Sequence, residues 1–351
     1  MNKKYNYNIK ITFDKNRNEC KVGVVNSNYL NGGLNSDTFR FNARSFSLNA
    51  YRTRIYKDGT ILSNTTNSIN AQILKGLLFY YSLANDFPRI TDVSIKRKQA
   101  KNIEYQYMES TSGIVQPIIG VGTKPQSFQA NDISILFEES EKGSSIRIVL
   151  SYWLKAIASE ERYYKFDHLW RAYNRLFMYQ GNCTKEIECM AQMRAFIINN
   201  SGIFLRTTSI TNSYSSDMLR GFRWRKMILN DYDTPSKAKA FDEFVRRYHD
   251  LRIMSLLSDM LPYREEFLRR ANLLESLQAY ITNNNSRYDT ELVTLLSLKY
   301  AYFVRNKMFH GEIPDSTFKI HSNSEDEEID RLNEILTSLI FEIIINNRLL
   351  R

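Results

Sequence analysis

The residues with the greatest capacity for chemistry lie near the C-terminal end, in the segment Arg305–Gly311. Arg305 carries a permanent positive charge on planar donors that match phosphate oxygens. His310, five residues later, titrates nearest to neutral pH and can act as a general base or a general acid. Asn306 is four residues before His310, so the two can share one face of a helix. These residue types predict phosphate chemistry, with Arg305, Asn306 and His310 as the candidate catalytic residues.

Cleavage of RNA without a metal ion would use such groups. The ribose 2′-OH attacks the adjacent phosphate while a base removes its proton, an acid protonates the 5′-oxygen, and a cation stabilises the crowded phosphorane. One histidine cannot easily be both base and acid in a single step. In an ideal helix positions 305 and 310 are also about 140° apart. A single copy of the motif therefore does not obviously converge on one phosphate.

The Arg-x4-His spacing, with a polar residue after the Arg and a Gly after the His, resembles the signature of the HEPN superfamily of helical-bundle ribonucleases. The segment Phe166–Asn174 also resembles an opening helix of that bundle. The resemblance covers about residues 146–351. It implies a metal-independent endoribonuclease without a cofactor, in which two copies of Arg305 and His310 flank one cleft of a homodimer. It further implies a toxin or effector of a prokaryotic defence system.

Two alternatives stay open for this motif. An Arg and a His in the last turn of a helix also stabilise it against its macrodipole, by about 0.3–1 kcal/mol each. The helical region could then be a non-catalytic module that binds RNA, a nucleotide or a protein partner. Arg162 and His168 have a similar spacing, but we interpret them as part of an ordinary amphipathic helix.

Little else in the sequence predicts catalysis. The four His and three Cys form no His-x-x-x-His or Cys-x-x-Cys arrangement, so no metal site is expected. No phosphate-binding glycine loop or nucleophile elbow occurs. The few cysteines indicate a reducing cytoplasm, and the absence of a run of about 18 apolar residues predicts no membrane span.

Cationic residues outside the motif are candidate RNA contacts. The chain carries a net charge of +10, of which a surplus of 8 lies in residues 1–150, and such a field attracts polyanions. A Lys- and Asn-rich composition would also produce it. Segment 220–226 interleaves cations with aromatic residues, as in phosphate contact plus base stacking, although Trp224 could equally lie in the core. The candidate RNA-binding residues are Lys96, Arg97, Lys98, Asn174, Arg223, Arg225, Lys226 and Lys307.

The periodicity of apolar residues divides the chain into two predicted domains. Residues 1–143 form a mixed α+β domain, expected to regulate or guide the other through a partner or an activating ligand. Alternation predicts a hairpin of strands 5–13 and 20–25. A helix is predicted over 67–84, and further strands are predicted at 92–96, 103–108, 115–121 and 133–137.

Residues 144–351 are predicted to form an all-α antiparallel bundle, with core helices over about 146–200 and 287–351 and additional helices over about 217–282. Apolar stripes run from Ile146 to Ile157, from Phe166 to Phe177 and from Ile187 to Ile198. Segment 209–217 is predicted to be a loop. Ser324 and Glu327 have capping-box spacing at the start of the last helix.

Overall fold

The computed structural model describes residues 5–28, 36–56, 60–64, 66–99, 102–109, 113–309, 321 and 323–351. The chain divides into two compact units. Unit 1 contains Met1–Glu160, Arg171–Tyr179 and Ile343–Arg351. Unit 2 contains Glu161–Trp170 and Gln180–Glu342. The predicted order of an N-terminal α+β region followed by a mostly helical region is confirmed at this coarse level.

Unit 1 contains an antiparallel sheet whose strands are ordered β2-β3-β4-β1-β5-β6. The strands are β1 (Tyr5–Phe13), β2 (Gly23–Asn28), β3 (Ser36–Asn42), β4 (Ser45–Arg52), β5 (Ile90–Gln99) and β6 (Asn102–Glu109). Strands β5 and β6 contain the predicted strands 92–96 and 103–108, whereas β3 and β4 were not predicted.

Alternating burial defines the two faces of this sheet. In β1 the odd-numbered side chains from Tyr7 to Phe13 are buried, and the even-numbered ones face outward. The buried face packs on helix α2 (Ser68–Leu83), where Phe13 stacks on Tyr80 with ring centroids 3.9 Å apart. A cluster of phenylalanine rings from β3, β4 and α2 fills the core between them.

Helix α2 confirms the prediction over 67–84 and is fixed at two points. Asn67 is its N-cap, and its side-chain oxygen accepts a hydrogen bond from the backbone N–H of Asn70 at 2.6 Å. Gly76 lets the helix approach the sheet, because a Cβ there would lie 2.6 Å from the Phe46 ring and 2.8 Å from the Phe39 ring. The close packing of α2 on the sheet therefore depends on the missing side chain at this glycine.

The predicted hairpin of strands 5–13 and 20–25 is wrong. Strand β1 pairs with β4 and β5 in the middle of the sheet, and β2 pairs with β3 at an edge. The residues after β1 form a turn that is held by ion pairs, and the next strand does not pair with β1. Arg17, only 5% exposed, pairs there with Asp14 at 2.9 Å and with Asp86.

Two further predicted strands are also wrong. Segment 115–121 has no regular secondary structure, and both Val115 and Val121 are exposed. In segment 133–137 the residues Ser134–Phe137 form a 3₁₀ turn that buries three consecutive apolar side chains. A half-buried strand would have buried only every second one.

The remaining helices contain the predicted apolar stripes. They are α1 (Thr60–Ser63), α3 (Glu141–Ala158), α4 (Arg162–Gly181), α5 (Glu186–Asn199), α6 (Leu205–Asn212), α7 (Ser216–Arg220), α8 (Trp224–Asp231), α9 (Ala238–Val245), α10 (Leu251–Met260), α11 (Glu265–Arg270), α12 (Leu274–Asn283), α13 (Asp289–Thr294), α14 (Ala301–Phe309) and α15 (Ser324–Ile345). The stripes of α3, α4 and α15 are buried as predicted. The stripe of α5 is only partly confirmed, because Ile187 is 74% exposed while Cys189 and Phe196 are buried.

Two local predictions in unit 2 are corrected. Segment 209–217 is not one loop: it contains the end of α6, a short turn and the start of α7. Helix α7 begins there because the Ser215 side chain caps it by accepting the backbone N–H of Met218 at 3.1 Å. The capping box of α15 is shifted by one residue. Asn323 accepts the N–H of Asp326 at 3.2 Å, and the Asp326 carboxylate accepts the N–H of Asn323 at 3.0 Å.

Candidate active site

The candidate motif lies on one long helical segment of unit 2. Helix α13 passes into a π-helical turn, Leu295–Tyr300, and continues as α14. Most of the side chains in the π turn are buried. Such a turn inserts an extra residue into the helix and rotates everything that follows it. The π turn therefore sets the direction in which the side chains of α14 point.

Tyr300 anchors this segment in the core of unit 2. Its ring lies 4.5 Å from the Trp224 ring, and its hydroxyl accepts the backbone N–H of Arg223 at 2.7 Å. Burial and the nearby carboxylate of Glu328 raise the pKa of Tyr300 well above its usual range. The phenol is therefore neutral at physiological pH and serves to fix the helix before the motif.

Arg223 belongs to the same buried network. Its guanidinium pairs with Glu328 at 2.7 Å and with Glu325 at 2.9 Å, and its side chain is 14% exposed. Burial opposes this charge, yet the two carboxylates leave the pKa of Arg223 raised. Its donors are directed at these two protein carboxylates, which suits a structural role.

Arg305 and Asn306 lie in the last described turns of α14. Both side chains are half-buried, and the Arg305 Nη1 donates to the Asn306 Oδ1 at 3.0 Å. This bond occupies the amide oxygen and leaves the Nδ2 group of Asn306 as the donor for other partners. His310 lies outside the described residues, as do Gly311 and Pro314, so its predicted role stays a prediction.

Lys307 connects the motif to helix α8. Its ammonium donates to the side-chain oxygen of Asn230 at 3.3 Å. Asn230 follows Lys226 by four residues on α8, so the two share one face of that helix. Lys226 is exposed. We call Lys226 and Lys307 the cationic strip; the sequence analysis missed Asn230, which contacts Lys307 and shares a helix face with Lys226.

The other residues of segment 220–226 have structural contacts. Trp224 is buried, and its indole N–H donates to the carbonyl of Leu219 at 2.6 Å. The core interpretation of Trp224 is therefore correct. Arg225 is exposed, and its guanidinium lies over the ring of Tyr263 at 4.6 Å.

The candidate RNA contacts of unit 1 do not share one surface. Lys96 and Lys98 are exposed on the outer face of β5, whereas Arg97 between them is 7% exposed and faces the core. Arg97 therefore does not share a face with Lys96 and Lys98, because successive side chains of a strand point to opposite faces. Asn174 is half-buried on α4.

Arg162 and His168 have contacts that suit a structural role. Arg162 lies 3.4 Å from Asp330 and 3.7 Å from Asp326. The His168 Nδ1 is 3.0 Å from the carbonyl oxygen of Tyr164, on whose ring the imidazole lies. Both interactions are with neighbours inside the helical packing of unit 2.

Among the described residues no group of His, Cys, Asp and Glu side chains could hold a metal ion. None of the helices in the described ranges is long and apolar enough to cross a membrane. No family model, no curated protein and no solved structure matches this chain.

Proposed function

We propose that this protein is a metal-independent endoribonuclease of the HEPN type, acting through Arg305, Asn306 and His310. The observation that carries the proposal is the hydrogen bond between Arg305 and Asn306 at the end of α14, directly before His310. The bond joins two of the three motif side chains and orients the amide that shares a helical face with position 310. A purely helix-capping role for Arg305 does not require Asn306.

The cationic strip supports the same function. Lys307 contacts Asn230, and Lys226 shares the α8 face of Asn230, so both add positive charge close to the motif helix. Cations in this arrangement attract the phosphates that flank a cleaved bond. The guanidinium of Arg305 suits the phosphorane, because it remains charged and presents two parallel donors.

The acid and the base come from two chains in this proposal. Two copies of the motif related by a two-fold axis place one His310 at the 2′-OH and the other at the 5′-oxygen. The products are a 2′,3′-cyclic phosphate, or the 3′-phosphate formed from it, and a 5′-hydroxyl. Uncontrolled RNA cleavage inside a cell would damage the host's own RNA, so we expect a partner or ligand to control the activity.

The test is incubation of the purified protein with RNA in excess EDTA, followed by analysis of the product ends. The proposal predicts cleavage with cyclic-phosphate ends, no cleavage of DNA of the same sequence, and a dimer in sedimentation. Strict dependence on a divalent ion, or 5′-phosphate products, would refute the mechanism. Binding of RNA without any cleavage would favour the non-catalytic module.

A further inference from the structure

The outer face of the six-stranded sheet in unit 1 is polar and concave. One face of the sheet packs on α2, while the other forms a groove of about 640 Å³. The strand register places Lys10 on this outer face, between Ser47 of β4 and Ser94 of β5. Arg40 is opposite the same Ser47 on the other side, so the two cations flank β4. We call this surface the open face.

Four cations on the open face lack ion pairs with described residues. Lys10, Arg40, Lys96 and Lys98 are all exposed. None of them forms an ion pair or a hydrogen bond with a described side chain. Within strands β1 to β5, Asp92, opposite Thr12 at one end of the sheet, is the only acidic residue that the register places on this face. On these five strands the four cations outnumber the one carboxylate, so this part of the open face has a net positive charge.

The spacing of the cations fits a chain of phosphates. Lys96 and Lys98 are two residues apart on β5, or about 6.8 Å along the strand. Arg40 and Lys10 lie two strands apart, or about 10 Å across the sheet. Successive phosphates of an extended nucleic-acid strand can bridge distances of this order, and several can be contacted at once.

One polar atom in the groove lacks a partner. The Oδ1 of Asn6 is shielded from solvent but accepts no hydrogen bond from any described residue. Asn6 lies between Tyr51 and Lys98 in the register and lines the groove. A buried acceptor of this kind calls for a ligand that donates a hydrogen bond, in addition to one that carries negative charge.

We propose that the open face binds a single strand of RNA, with its phosphates on Lys96, Lys98, Lys10 and Arg40 and a base or ribose donor on Asn6. A single strand can present both kinds of group to one surface, whereas a duplex pairs its base donors internally. The proposal does not depend on whether the motif in unit 2 cleaves RNA.

The experiment measures binding of a fluorescent 20-nucleotide uridine RNA by anisotropy over a range of salt concentrations. All proteins carry His310→Ala, so cleavage cannot consume the probe. Removal of two phosphate contacts in Lys96→Gln/Lys98→Gln should make the slope of log affinity against log salt shallower by about 1.4, and should weaken binding at 0.1 M salt about 25-fold. Asn6→Ala should weaken binding with an unchanged slope, because the amide is uncharged.

The matched control is Lys21→Gln/Lys155→Gln. These two exposed lysines belong to the same unit but lie off the sheet face, and their loss removes the same charge. The control should keep the wild-type slope. Equal losses in both double variants, or no loss in Lys96→Gln/Lys98→Gln, would overturn the proposal. If that variant fails to fold in thermal unfolding, Lys10→Gln/Arg40→Gln serves the same test.

Discussion

The substitution Arg252→Met removes the centre of a buried ion network in unit 2. Arg252 is 4% exposed and donates to the two carboxylate oxygens of Asp250 at 3.0 and 2.8 Å. It also donates to Asp289 at 2.8 Å and to the carbonyl of Thr211 at 2.7 Å. Asp289 is the first residue of α13, so this guanidinium ties the start of the motif segment to α10.

The expected cost follows from the burial of Asp250. Methionine keeps an apolar stem, but it leaves the carboxylate of Asp250, which is 0% exposed, without its counter-ion. Breaking a buried ion pair in this way costs about 3–5 kcal/mol. The backbone N–H groups of Arg252, Ile253 and Tyr288 still donate to Asp250. We therefore expect the free energy of unfolding to fall by the lower part of that range, about 3–4 kcal/mol.

The assay is guanidinium unfolding followed by far-UV circular dichroism, with hydrogen exchange of the α10 amides to localise the loss to unit 2. The control is Arg269→Met, whose partner is Glu265 in a pair that is 71% and 46% exposed. The control should change stability by no more than about 0.5 kcal/mol. The double variant Asp250→Asn/Arg252→Met should lose less than the sum of the single variants. A loss in Arg252→Met no larger than in the control would refute the reasoning.

Three further predictions concern stability. Gly76→Ala should lower the free energy of unfolding by about 1–3 kcal/mol, measured by chemical denaturation, because the new methyl group would overlap the buried Phe46 ring; a stabilised variant would contradict this. Burial lowers the pKa of Lys124 to about 8, so the unfolded chain binds more protons between pH 8 and 10.5. The difference in unfolding free energy between wild type and Lys124→Met should rise over that interval by up to about 3 kcal/mol, and a flat difference would show that the ammonium is solvated. Arg223→Met should cost about 3–5 kcal/mol in denaturant titrations because it leaves Glu328 buried without a counter-ion; unchanged stability together with weakened RNA binding would instead assign Arg223 to the RNA surface.

Helices with one continuous apolar stripe could be predicted from the sequence. The stripes of α3, α4 and α15 are visible because each helix buries one face along its whole length. The α2 boundary was also predictable, since Asn67 is a strong N-cap residue. In these cases local residue preference and tertiary packing agree.

Strand pairing and the site geometry could not be predicted in the same way. Strand β1 pairs with β4 and β5, which lie far along the chain, and alternation within a strand does not encode its partner. The polar residues after β1 looked like a hairpin turn. They are held instead by an ion pair between Arg17 and Asp86, which are 69 positions apart, and no local pattern indicates such a pair. The π turn before α14 has no sequence signal, yet it sets the direction of Arg305.

We propose that His310, together with Arg305, cleaves RNA. The most direct measurement is the rate of RNA cleavage in EDTA by the wild type, His310→Ala and His168→Ala, with the last variant as the control. His168 is a histidine of the same unit, and its imidazole lies against the ring and the carbonyl oxygen of Tyr164. We expect His310→Ala to cleave RNA at least about a hundredfold more slowly and His168→Ala to keep the wild-type rate. A wild-type rate in His310→Ala would contradict this proposal.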